Sequence, residues 1–280
     1  MPSLPPPSTD AVSKAAAPVR TRKAGAWKLF ALVLIGLFGA ILVKTPLRTR
    51  LLSVVLVTIA FAVFAKILGG VTYIGAAAGF LVTSLLFLSS GPAMLIAVLL
   101  VFVLTLTATK FGGARKQSLT IAERSNGRDG AQVLANVGIS AMFGAVSAIT
   151  PYRLPLTVGA LAALAEAACD TVSSETGKAL SLEARLVISG KIVPAGTDGA
   201  ISLPGTILGA IAAALVALEA VVSGVLDLHR ATIVSVAGIL GMLVDSLLGA
   251  TLERRGWLTN NTVNLISTLA AALLAMIVAW

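Results

Sequence analysis

Apolar runs of similar length alternate with shorter polar links along this chain. They occupy residues 27–43, 51–68, 71–89, 93–109, 131–150, 156–170, 201–224, 231–251 and 263–280. A helix that crosses a bilayer needs about 20 mostly apolar residues. The pattern therefore predicts an all-α fold, a polytopic transmembrane bundle of about nine spans. The run at 156–170 is short, and its helix is expected to continue through 171–177, where the residues turn polar. Residues 1–25 are rich in Pro, Ala and Ser, hold no hydrophobic period and are expected to be a disordered tail. Arg20, Arg22, Lys23 and Lys28 flank the start of the first run, as in a signal peptide. No small-x-small cleavage site follows, so residues 26–50 read as a retained signal anchor with a basic link. Residues 51–280 are then a membrane-embedded domain.

Composition removes the soluble alternatives. Hydrophobic residues make up 57% of the chain and charged residues 12%, against about 25% charged in a soluble domain. Mean hydropathy is +0.98. The net charge of +9 would invite nucleic acid in a soluble protein. Here there is no basic stripe interleaved with aromatics, and basic residues at helix ends follow the positive-inside rule, so no nucleic-acid partner is expected. The one cysteine, Cys169, excludes an internal disulfide and reads as a small apolar filler.

With the N-terminus in the cytoplasm, Lys14, Arg20, Arg22 and Lys23 lie inside. So do Lys110, Arg115, Lys116, Arg124 and Arg128, then Lys178, Arg185 and Lys191, then Arg254 and Arg255. Lys44, Arg48, Arg50, Arg153 and Arg230 fall outside. The bias follows the rule, with the 44–50 link as its exception, and the expected location is a bacterial inner membrane. This orientation puts the three longest polar segments, 110–130, 171–199 and 253–261, on one face. A scaffold has no need of that arrangement, whereas a cytoplasm-facing site does.

Glu166, Asp170, Glu219 and Asp245 fall inside apolar runs, where an acid that faced lipid would be costly. Glu166, Asp170, Ser173 and Gly177 recur at helical spacing on one face, with Glu175 beside them. Small polar residues that glue helices together would explain the serines better than the carboxylates. Asp198 lies between Thr197 and Gly199, either as a close backbone approach to a ligand or as a turn leading into an N-cap. Gly205 and Gly209 read as a packing pair. Asp245 shares a helix with Gly238, Gly241 and Gly249, which implies close helix contact around an acid that must find a partner. In 110–130, five basic residues meet four glycines, and Gln132 and Asn136 follow four apart. Arginine forks suit phosphate oxygens, and glycine-rich backbone can form an anion nest. No Walker pattern is present. His229, the only histidine, stands beside Asp227 on the opposite face and reads as solvated. Carboxylates and hydroxyls without a histidine pair favour a hard cation such as Mg2+ over zinc or haem. Mg2+ together with Arg and Lys suits phosphate chemistry.

The segments GGARKQSLTIAERSNGRDGAQVLANVG, CDTVSSETG, PAGTDGAISLPGT, VDSLLGATLERRGWL and NNTVNLIST together resemble one integral membrane family. It is the family of phytyl-phosphate kinase and transmembrane protein nineteen, distantly similar to dolichol kinase and CDP-lipid synthases. The resemblance covers roughly residues 50–280, in the family's motif order. Cys169 stands where the family has alanine and Ala200 where glycine is common. The resemblance implies a catalytic domain over 51–280 that transfers phosphate from a nucleotide, CTP, to an isoprenoid monophosphate at the membrane lipid interface, giving the diphosphate. On that basis Asp170, Glu175, Asp198 and Asp245 are expected to ligate Mg2+. Lys110, Arg115, Lys116, Arg124, Arg128 and Lys191 are expected to hold phosphates, with Glu123, Asn136, Ser174, Thr197 and Asn264 in support. Two other readings use parts of the same inventory. A cytidylyltransferase forming a CDP-lipid would release pyrophosphate rather than CDP. A cation-coupled transporter would use Glu166, Asp170 and Asp245 as its path, but leaves the loop glycines and arginines unexplained.

Overall fold

The computed structural model describes residues 20–44, 48–118 and 127–280. Most of the expected N-terminal tail, residues 1–19, lies outside them, while 20–25 are already helical. The elements run α1 (Arg20–Lys44), α2 (Arg48–Ile67), α3 (Tyr73–Ser90), α4 (Pro92–Lys110), the short α5 (Gly113–Ser118), α6 (Gly130–Ile149) and α7 (Arg153–Leu180). Three short strands follow, β1 (Glu183–Leu186), β2 (Ile192–Pro194) and β3 (Ala200–Ile201). Then come α8 (Leu203–Val222), α9 (Leu228–Leu248), a π-helical turn (Gly249–Glu253) and α10 (Asn260–Val278). The protein is a helical membrane bundle. Among the described residues seven helices are long and apolar enough to cross a membrane, while the apolar parts of α1 and α2, Trp27–Leu42 and Leu51–Ile67, are shorter.

The helix α7 is the central pillar. Of its most apolar stretch 83% is buried, against 39% for most of the other spans, and it packs against α4, α6, α8, α9 and α10. Its composition explains the position. The first half is largely Ala, Gly and Leu, so neighbouring backbones approach closely. A side chain at Gly205 would come within 2.5 Å of Ser173 O, and one at Gly209 within 2.6 Å of Cys169 O. The packing role expected for that glycine pair is therefore what α8 uses against α7. Gly238 and Gly241 do the same for α9, whose added Cβ atoms would meet Ala165 at 2.9 Å and Glu166 Cγ at 2.5 Å. Cys169 is buried in this contact. Outer faces stay apolar, as with Leu52, Leu56, Ile59 and Val63 on α2 and Ile207, Ile211 and Leu218 on α8, all exposed. A bilayer, not water, is the solvent that such surfaces fit. The helix α1 packs against α3 and α6, with Phe30 seated on Gly138.

Helix starts are set by local chemistry. Asp129 and Gln132 form a reciprocal capping box on α6. Ser202, rather than Asp198 or Thr197, caps α8, accepting from Gly205 N at 3.3 Å. Thr197 instead donates to Pro194 O at 2.7 Å, closing the turn before β3. Asp227 caps α9 and pairs with Arg230. The Arg230 backbone N–H holds the Asp227 carboxyl below its usual range. His229 next to it is exposed.

The polar segment 171–199 begins as helix, as expected for 171–177, and the helix runs on to Leu180. After it β1 and β2, joined by β3 just beyond the segment, form an antiparallel sheet of order β2-β1-β3. In it Arg185 pairs with Ile192 on one side and Ile201 on the other. The strands are two to four residues long, too short for a periodicity of two to be visible in the sequence. The sheet brings the 195–199 turn onto the end of α9. Gly199, at φ +72°, lies against the Ala250 backbone so closely that no Cβ fits.

Candidate active site

The polar ends of α6, α7, α9 and α10 and the 195–202 segment enclose one cavity of about 160 Å3. The start of α6 contributes Gln132 and Asn136, the link before it Arg128, and the end of α7 Asp170, Thr171, Ser174 and Lys178. The turn before α8 adds Thr197 and Asp198. The end of α9 adds Asp245, Ser246 and Glu253, and the start of α10 adds Asn260 and Asn264.

The two intramembrane aspartates come from different helices. Asp170 interacts electrostatically with Asp245 and Glu253, and Asp198 with Glu253. Ser267 Oγ donates to Asp245 Oδ2 at 3.3 Å. The amide of Asn264 bridges toward α6, its nitrogen donating to Asn136 Oδ1 at 3.2 Å; turned over, the same nitrogen reaches Asn260 O at 2.8 Å and Asp245 Oδ2 at 3.3 Å. Arg128 is held from two sides. Its backbone pairs with Gly70 and Thr72, at 2.9 Å in each case, and its Nη1 donates to Thr105 Oγ1 on α4 at 3.0 Å. Gly75 has no room for a side chain because the Arg128 carbonyl occupies it.

Nine of the expected site residues line this cavity: Arg128, Asn136, Asp170, Ser174, Glu175, Thr197, Asp198, Asp245 and Asn264. Glu123 and Arg124 lie outside the described residues. Lys110, Arg115 and Lys191 are not part of the wall, and Lys110 Nζ donates to Leu68 O at 3.0 Å. Two of the expected residues, Lys116 and Glu175, are engaged with each other. Lys116 is 2% exposed and its ammonium binds Glu175 at 2.7 Å, Thr109 O at 2.6 Å and Ala108 O at 3.2 Å. An ammonium has three protons to donate, so Lys116 has none left for a phosphate. Glu175 takes Lys116 on one oxygen and Lys178 on the other, at 2.9 Å, so its carboxylate ties α5 to α7 while also lining the cavity. Lys178, Glu253, Ser246 and Asn260 were not singled out from sequence. Lys178 and Glu253 sit in segments already expected on the site's face, but nothing in their spacing marked them.

The remaining acids fall elsewhere. Glu166 lies one turn below Asp170, 1% exposed, and its Oε1 has no hydrogen-bond partner among the described residues. Glu219 is near the far end of α8, where Ser223 Oγ donates to its Oε1 at 2.5 Å.

The acids on the cavity wall are Asp170, Glu175, Asp198, Asp245 and Glu253, five against the two cations Arg128 and Lys178 among the described residues. Among the described residues, however, no three carboxylate, His or Cys side chains close into a ready metal cage. The carboxylate and hydroxyl oxygens on the wall are of the kind that Mg2+ takes, commonly one or two carboxylates with water and phosphate oxygens completing the shell.

Fold and site together define a polytopic helical membrane protein with a polar, predominantly acidic cavity at one end of the bundle. The chain belongs to the family described as integral membrane protein DUF92, whose model matches residues 56–272. It is 34% identical over 189 residues to an uncharacterized membrane protein of Methanocaldococcus jannaschii, covering 67% of this chain and 77% of that protein. It is 31% identical over 188 residues to an uncharacterized membrane protein of Synechocystis, covering 65% and 72%. It is also 30% identical over 218 residues to Protein VTE6, chloroplastic, of Arabidopsis thaliana, covering 74% of this chain and 65% of that one. No solved structure matches.

Proposed function

We propose that this protein is an Mg2+-dependent phosphotransferase that moves the γ-phosphoryl group of a nucleotide, CTP in the first instance, onto an isoprenoid monophosphate. One observation carries the reading. Apart from the Glu175–Lys178 ion pair, four carboxylates face one arginine among the described residues on a cavity at one end of a membrane bundle, in a family that resembles phytyl-phosphate kinase. Two phosphate esters would be repelled from such a wall unless divalent cations neutralised them, and phosphoryl transfer is the chemistry in which metal and cations do most of the work. Asp170 and Asp245, with Asp198 and Glu253 at the rim, would hold Mg2+, which supplies charge neutralisation on the transferred group. Arg128 and Lys178 are placed to bind phosphate oxygens, and Asn136, Asn264, Ser174 and Thr197 to orient them.

In the reaction an oxygen of the lipid phosphate forms a bond to the γ-phosphorus of CTP. The bond from that phosphorus to the β,γ-bridging oxygen breaks, CDP leaves, and the lipid becomes a diphosphate. The acceptor oxygen is already anionic near neutral pH, so no dedicated general base is needed. The test uses the full chain in detergent with labelled CTP, Mg2+ and a panel of prenyl monophosphates. Labelled prenyl diphosphate and CDP are the expected products. Pyrophosphate release with a CDP-lipid would replace the kinase by a cytidylyltransferase, and no transfer to any lipid would overturn both.

A further inference from the structure

A second cavity, of about 80 Å3, lies between α2, α3, α4, α6 and α7. Its wall is almost wholly apolar. Phe61 and Phe102 meet edge to face at one side, with centroids 5.5 Å apart, and Ala62, Ala76, Val82 and Val98 continue the lining. Most polar groups on it are already engaged: Thr83 Oγ1 donates to Gly79 O at 2.7 Å, and Thr105 Oγ1 accepts from Arg128. Three residues, Arg128, Asn136 and Thr171, line this cavity and the acidic one alike. The two spaces therefore share a wall, and that wall carries a guanidinium.

The glycines of α3 sharpen the point. Both Gly75 and Gly79 line the apolar space. Gly75 is explained by the Arg128 carbonyl pressed against it. Gly79 is not explained by packing, because an added Cβ there would meet nothing within 4 Å. Its missing side chain leaves volume open on the cavity wall, one helical turn from Gly75.

We propose that the apolar cavity is the subsite for the hydrocarbon chain of the lipid phosphate, with the phosphate head at Arg128 on the shared wall; this rests on the phosphotransferase reading above. The occupant follows from continuity and charge. The ribose and phosphates of a nucleotide find no hydrogen-bond partners on a wall of Phe, Val and Ala. An anionic amphiphile has use for both halves, since its chain is removed from water on one side of Arg128 while its phosphate meets the metal-binding acids on the other. Gly79 then limits how much chain is accepted.

Two readouts on the full chain in detergent test this. The first is photocrosslinking with farnesyl monophosphate carrying a terminal diazirine, which needs no turnover. Labels are expected on α2, α3 and α4 around Phe61, Ala76 and Val98, competed by farnesyl monophosphate far better than by phosphatidylglycerol. The second is chain-length preference. Gly79→Leu, which fills the space, should lower the ratio of kcat/KM for phytyl over dimethylallyl monophosphate by about tenfold, the loss from about two excluded methylene groups. Gly79→Ala should fall between, guarding against a Leu variant that misfolds. Labels elsewhere, equal competition by phosphatidylglycerol, or an unchanged ratio would overturn the subsite. Correct labelling without transfer from any nucleotide would keep the subsite and remove the kinase. Transfer with an unchanged ratio would keep the kinase and remove the subsite.

Discussion

Asp170 and Asp245 show how single residues acquire meaning from their partners. Each lies in an apolar helix, and they face the same cavity with Ser267 and Asn264 beside Asp245. Asn in place of either keeps the volume and removes the charge that a cation needs. Asp170→Asn or Asp245→Asn should therefore lower turnover by at least about a hundredfold, the scale of losing one electrostatic stabiliser, while membrane insertion and elution volume stay unchanged. Full activity in both would remove them from the metal site. The Lys116–Glu175–Lys178 cluster makes the opposite kind of prediction. Lys116→Met leaves a buried carboxylate with only its partly exposed lysine, and one-sided disruption of a buried pair costs about 3–5 kcal/mol. The paired change Lys116→Met with Glu175→Gln should recover much of that loss. Thermal unfolding in detergent, followed by tryptophan fluorescence, checks the order of the three proteins.

At the level of elements, the contact between α7 and α8 depends on the absence of side chains. Gly205 and Gly209 rest against the backbone at Ser173 and Cys169, and Ser173 lies in the same turn of α7 as Asp170. Gly209→Leu should push α8 away and destabilise the bundle by about 1–3 kcal/mol, the usual range for overpacking. It should also lower activity, because α8 and the turn before it bring Ser202 and Asp198 to the cavity. Thermal midpoint and turnover, measured on the same preparation, check this; an unchanged midpoint would mean that α8 is not held there. The capping box at Asp129 is an independent case. Asp129→Ala should cost about 1 kcal/mol, and it should also loosen Arg128, the neighbouring residue on the cavity wall.

Across the whole molecule the helices run with their polar ends gathered together. Asp245 and Leu228 lie on one helix about 25 Å apart by helical rise, so the cavity and the Asp227–Arg230 cap are at opposite ends. The contact of Tyr152 with Trp280, with ring centroids 5.1 Å apart, joins the start of α7 to the end of α10 at the end away from the cavity. By the positive-inside rule the cavity end is expected on the cytoplasmic side. In a Cys169→Ala background, Ser189→Cys and Trp257→Cys should react with an impermeant maleimide in inverted vesicles. Leu228→Cys should react in right-side-out vesicles. Labelling of Ser189→Cys and Leu228→Cys from one side would break this topology.

The membrane bundle was legible because hydrophobicity in blocks of about 20 residues has a single physical solution, a helix that satisfies its own backbone inside lipid. The family was legible because its motifs lie in short contiguous segments. The helical spacing of Glu166, Asp170 and Ser173 and the glycines beside Asp245 also announced a polar face and close helix contacts. Tertiary structure decided which of those polar residues share a space. Lys116 and Glu175 bind each other across 59 residues of sequence, because a buried charge must be paired wherever packing brings a partner. Glu253 and Lys178 enter the cavity through a π-helical turn and the last turns of a long helix, geometries that no local pattern encodes. The small sheet and the cap at Ser202 rest on pairings between residues too few and too short in period to read. The apolar blocks fixed what kind of solvent this protein lives in, and long-range packing alone fixed which carboxylates face one another across its cavity.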